Sequence, residues 1–171
     1  MNDNMDELAW FSEMLEALED ADIPRFQLQS QLVELPRKYI PTEGYQIETV
    51  IHEMAFRFTA LPFSQHTIWY LGFERWDPGQ HRWSQDRIKT PQFRVVAELF
   101  RRFAGFIYAV VDAEPTLHSL HFRSRPDDHS ARNCYRKATY YLAKRLHATS
   151  SSHLAQQFVE YTITLPERTQ P

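Results

Sequence analysis

Between residues 93 and 111 the apolar residues Phe93, Val96, Ala97, Phe100, Ala104, Ile107, Tyr108 and Val111 recur at intervals of three and four, the repeat of one helical face. The face is wide, which suits packing against a sheet. Thr90 followed by Pro91 reads as the helix start, because threonine can cap free amides and proline is tolerated at the first helical position. The helix is expected to run to about Asp112. On either side the period changes to two. His66 to Trp76 reads HTIWYLGFERW, rich in aromatic and β-branched residues, and Leu117 to Arg123 reads as a short strand. Strand, long helix and strand in succession favour a parallel neighbour pair joined by a crossover.

The rest of the chain fits around this unit. Leu8, Phe11, Met14, Leu15 and Leu18 fall at helical spacing, so residues 4–20 are expected as an amphipathic helix. Pro24, Pro36 and Pro41 then interrupt a mixed segment in which residues 26–34 form a short helix or strand. Tyr45, Ile47 and Thr49 alternate with polar neighbours, and Met54, Phe56 and Phe58 follow, giving one long bent strand or two. Residues 77–89 read as a long polar loop with Pro-Gly at its turn. Asp127 or Asp128 caps a helix reaching His147, the serines at 150–152 form a connection, and Val159, Tyr161, Ile163 and Leu165 form a last strand before a loose tail at 166–171. The expectation is a single α+β domain over 1–171, with a mixed, mostly antiparallel central sheet flanked by helices.

Composition narrows the class. With 43% hydrophobic and 24% charged residues over 171 positions, the chain can bury a core and is not disordered overall. A lone cysteine, Cys134, excludes an internal disulfide framework and a multi-cysteine zinc site. No apolar run approaches the roughly 20 residues that span a bilayer, so a soluble, cytoplasmic protein without membrane contact is expected.

Charge is unevenly placed. Residues 1–22 hold eight acids, including Asp6, Glu13 and Glu16, and no lysine or arginine, while the remaining 149 residues carry a net +5. Residues 117–147 hold seven bases, among them Arg132, Arg136, Lys137 and Arg145, against two acids. The basic helix face could meet phosphates or an acidic partner, or the acidic leader itself. Trp76, Arg82 and Trp83 in the 77–89 segment have the composition of a protein-binding hot spot. His118 and His121 are an odd number apart on a strand and point to opposite faces, so no metal site is expected. Cys134 with His129 or His121 could act as nucleophile and base, against the plainer reading of a buried thiol.

The order of elements resembles the acetyltransferase fold of the GNAT superfamily. Members carry Gln or Arg, two residues, Gly, one residue, then Gly or Ala at the start of the central helix. Gln92, Phe93, Arg94, Val95, Val96 and Ala97 keep the first and last of these and place Val95 at the glycine, where a β-branched side chain obstructs close approach of a pyrophosphate. A second family pattern, Asn, two residues, Ala, three residues, Tyr, is kept at Ala131 and Tyr135, with Asp128 in place of the Asn. The resemblance implies acetyl-CoA bound through Gln92, Val95 and Ala97, with Tyr135 as general acid and Glu74 as possible base, should the chain be an N-acyltransferase. Residues 92–146 are also similar to a module in small proteins of tailed bacteriophages, with Arg132 and Arg136 flanking Tyr135.

The expected function is a phage-encoded, non-catalytic binding protein, needing no cofactor, that acts on a host or viral macromolecule in the host cytoplasm. Its partner is expected to be a protein, or nucleic acid through the basic helix face. The partner-binding residues would be Asp6, Glu13, Glu16, Trp76, Arg82, Trp83, Arg132, Arg136, Lys137 and Arg145. An acetyl-CoA-dependent acyltransferase is the alternative, and a minor virion component a third reading.

Overall fold

The computed structural model describes residues 3–18, 23–35, 38–63, 66–85, 93–125 and 129–168. The chain forms α1 (Asp3–Ala17), β1 (Gln31–Leu35), β2 (Lys38–Ile51), β3 (Met54–Phe63), β4 (Ile68–Asp77), β5 (Arg82–Ser84), α2 (Phe93–Ala113), β6 (Ser119–Ser124), α3 (His129–Arg145), β7 (Thr149–Leu154) and β8 (Val159–Thr164). The strands make one sheet in the order β1-β2-β3-β4-β6-β8-β7, with β5 paired to β4. Every pairing is antiparallel except β4 with β6, the two strands joined through α2. This is the expected α+β class, with its one parallel pair where the strand, helix, strand pattern put it. Among the described residues no helix is long and apolar enough to cross a membrane.

One alternative is decided by the structure, and two segments differ from the sequence reading. Residues 45–58 are two strands, because His52 and Glu53, with φ of 46° and 67°, make a two-residue turn between Ile51 and Met54 whose twist matches an antiparallel hairpin. The expected long loop at 77–89 is a tight hairpin as far as Ser84. Asp77 Oδ1 accepts from the amides of Gly79 and Gln80, turning the chain so that β5 pairs with β4. The serines at 150–152 lie in β7 rather than in a connection, since the ladder of β8 supplies the backbone pairing that serine's weak strand preference does not. Residues 26–34 contribute β1 and no helix.

Alternation sorts the sheet into two faces. Phe56, Phe58 and Ala60 of β3, Trp69 and Leu71 of β4, Leu120 and Phe122 of β6, and Val159, Tyr161 and Ile163 of β8 share the face that builds the main core. Both α2 and α3 lie on it, since Phe73 meets Phe103 of α2 and stacks on Tyr135 of α3. α1 rests on these helices, with Phe11 edge-on to Phe100 and Leu15 packed with Ala138. Close approach matters twice: a Cβ at Gly105 of α2 would run into the carbonyl oxygen of Pro24, and one at Gly44 of β2 into that of Ala60. α3 ends in a Schellman motif, with Ala148 N donating to Ala143 O and His147 N to Lys144 O while His147 takes φ 53°. The expected loose tail is tied at Arg168, whose Nη1 donates to the carbonyls of Val111 and Glu114 at the end of α2; residues 169–171 lie outside the described residues.

Candidate functional site

β4 and β6 pair over three positions only, Ile68–Tyr70 with Ser119–His121. Since β3 occupies the other edge of β4, β6 and β5 share this one, and β5 pairs at Arg75–Asp77. Residues 71–74 therefore have no strand partner on that edge among the described residues. Carboxyl ends of parallel strands that part at a change of strand order form the crevice in which open sheets hold ligands. The ring of Tyr135 lies across the parting, 6.3 Å from Phe73 and 5.6 Å from Tyr161 and near-parallel to both. Burial, and then Tyr161, raise the pKa of the Tyr135 phenol well above its ordinary value. A general acid works best with a pKa near ambient pH, so this environment makes Tyr135 a poor proton donor.

The other proposed catalytic group is not brought to Tyr135. Glu74 falls on the opposite sheet face by alternation, and its carboxylate is taken by Arg57 at 3.3 Å. That guanidinium also lies over the Trp83 ring, 4.5 Å from its centroid. The cofactor triplet is divided too. Gln92 lies outside the described residues, and Val95, in the first turn of α2, is 1% exposed, its side chain packed into the core. Ala97 lines an open cleft of about 480 Å³ with Arg94, Met14 of α1 and Leu18 just after it, Ile51 of β2 and His52 of the β2–β3 turn. In that cleft Glu98 binds both Arg101 and Arg102, and these guanidiniums hold its carboxyl below the usual range against the opposing effect of burial.

The charged surfaces find each other within the chain. Lys137 donates to Ser12, Tyr141 to Glu16, and Arg145 to the carbonyl of Leu15, so one flank of α3 is engaged by α1. The bond to Glu16 also raises the pKa of Tyr141. Glu16, Lys137 and Arg145, expected as partner contacts, are thus occupied in cis, while Glu13 is exposed. The side chain of Asp6 and residue Asp128 lie outside the described residues. The carbonyl of Arg132 accepts from Tyr161, and Arg136 and Lys144 stand exposed. Trp76 and Trp83 are half-buried and pair edge-to-face across the hairpin at 5.5 Å, leaving Arg82 exposed at its tip. Cys134 packs with the α1–α3 cluster.

One network escaped the sequence reading. Ser119 Oγ lies 2.9 Å from His121 Nε2, and His121 Nδ1 lies 2.6 Å from Glu160 Oε1. The order is that of a serine–histidine–carboxylate relay. Ser119 is nonetheless buried, its amide is spent on Thr67 O, and the bonds fix the imidazole on the helix-free face. The signal was the two-residue spacing of Ser119, His121 and Arg123, which puts all three on one side of a strand. Arg123 there covers Tyr70 and Phe158, 4.6 and 4.2 Å from the ring centroids. Among the described residues no three His, Cys, Asp or Glu side chains gather as metal ligands. No protein-family model matches the chain, and no curated protein matches it.

Proposed function

We propose that the chain is a non-catalytic binding module on a GNAT-like scaffold, of the kind phages encode to act on a host or viral macromolecule, with the outer face of α3 as its contact surface. The observation that carries this reading is the division of charge on α3. The helix holds five bases and no acid; Lys137 and Arg145 are spent on α1, and Arg136 and Lys144 point to solvent. The parallel β4–β6 pair supports the scaffold. Against acyl transfer stand Val95 in the core, Glu74 bound to Arg57, and a Tyr135 phenol that holds its proton tightly.

Calorimetric titration with acetyl-CoA and free CoA is the direct test. No saturable heat is expected up to millimolar ligand. Micromolar binding would overturn the reading and turn attention to the acyltransferase alternative. One observation favours that alternative: Tyr135 lies in the crevice where β4 and β6 part. It requires turnover that falls with Tyr135→Phe.

A further inference from the structure

β7 is the last strand of the sheet, and all six of its residues are exposed. Its register with β8 fixes which backbone groups are free. Ala155 N donates to Phe158 O, which makes that pair a hydrogen-bonded one, and in an antiparallel ladder hydrogen-bonded and non-hydrogen-bonded pairs alternate. Thr149, Ser151 and His153 therefore bond to β8, and Ser150, Ser152 and Leu154 turn their N–H and C=O groups outward. Proteins ordinarily blunt such an edge with charge, proline or a bulge. The opposite edge of this sheet shows two of these devices: β1 carries Glu34 and a register shift between Val33 and Leu35. β7, TSSSHL, has no proline, no lysine and no acid, and its ladder runs unbroken over six pairs.

The surroundings specify what would pair there. α3 packs on β8 and β7. α1 holds the flank of α3 that carries Lys137, Ala138 and Tyr141, so at 100° per residue the flank with Arg136 and Tyr140 is turned toward β7. Arg136 and Tyr140 stand exposed on that flank beside the open edge, and Lys144, one turn on, is exposed on the outer side of the helix. Leu154, 71% exposed, shares that face, and Tyr140 is 56% exposed. Two cations and two apolar groups flank an uncharged strand edge, with no acid on the helix. A second copy would set its own basic row against this one. An acidic strand meets complementary charge instead.

Resting on the binding-module reading, we propose that β7 accepts an added strand from an extended acidic segment of a partner protein, one that alternates carboxylate and apolar side chains. Main-chain hydrogen bonds to Ser150, Ser152 and Leu154 would hold it, and Arg136, Tyr140, Lys144 and Leu154 would read its side chains.

The test is fluorescence anisotropy with a labelled eight-residue peptide of alternating Glu and Val, against a Lys/Val peptide, a Glu/Val peptide N-methylated at alternate residues, and a labelled oligo-dT. Saturable binding of the Glu/Val peptide is expected, with at least tenfold loss for the Lys/Val and N-methylated peptides. Ser152→Pro should weaken binding at least tenfold while leaving the β8 ladder whole, because the amide it removes faces outward. Arg136→Glu with Lys144→Glu should do the same and abolish the salt dependence. Peptide binding that survives both N-methylation and Ser152→Pro, yet is lost on charge reversal, would keep the basic-face reading and overturn strand addition. Tighter binding of oligo-dT than of peptide, indifferent to Ser152→Pro, would overturn it in favour of nucleic acid. No peptide binding up to millimolar, or a concentration-dependent dimer of the protein alone that Ser152→Pro dissolves, would likewise overturn it.

Discussion

Tyr45 shows how much one side chain can record. Its ring stacks on Trp69 at 5.6 Å, and its hydroxyl donates to Glu114 Oε1 at 2.6 Å, joining β2 to the end of α2. Burial, and then the bond to the Glu114 carboxylate, push the phenol up to about 12. Since an unfolded tyrosine ionises near 10, the neutral phenol stabilises the fold fully below about pH 10, and this contribution is lost as pH rises from there toward about 12. Urea unfolding of wild type and Tyr45→Phe should show a stability difference that is constant below pH 9 and shrinks by pH 11. At this scale the sequence was a partial guide. Alternation put Tyr45 on a buried strand face, but its bond to Glu114 spans 69 positions, and no local pattern encodes such a pair. Val95 stands in the first turn of α2, where the resemblance puts it, but the sequence did not show that its side chain faces the core.

Elements were legible where their own residues decide them. α1, α2, α3, β4 and β8 carry enough apolar periodicity to declare period and approximate length, whereas β3 showed its period but not where it parts from β2. β1, β5 and β7 do not, because a short polar strand exists by virtue of the neighbour that supplies its hydrogen bonds. The docking of α1 divides along the same line. Phe11 is 2% exposed against Phe100 and Ala138, whereas Glu16 is exposed, where solvent screens a single polar contact. Phe11→Ala is expected to release α1, seen as faster amide exchange across residues 3–17 with protection in β3 and β4 unchanged. Glu16→Lys should leave that exchange close to wild type. Equal effects from both would mean that charge, not packing, seats the helix.

For the whole molecule, the aromatic residues of the one covered face carry the architecture. Phe58 is fully buried between Phe26, Phe103 and Phe106, joining β3 to α2 at the centre of the sheet. Truncations of this kind cost about 3–5 kcal/mol, so Phe58→Ala should lower the urea midpoint in proportion, with an unchanged m-value if unfolding stays two-state. The α+β class and the parallel crossover followed from the sequence because they depend on element order alone. That both α2 and α3 lie on one side of the sheet did not, since periodicity says that a helix has an inner face but not which layer it meets.

The two ends of the sheet are unlike, and this asymmetry sets a rule of assembly. A sheet whose ends were both open could pass strands from molecule to molecule without limit and grow into a fibre, as head-to-tail contacts that do not close tend to do. Here β1 is bulged and charged while β7 is straight and neutral. Growth that starts at β7 meets a bulge and a charge at β1. Were β7 to take the proposed strand, β1 would resist passing growth on, and the molecule would act as a terminus rather than a link.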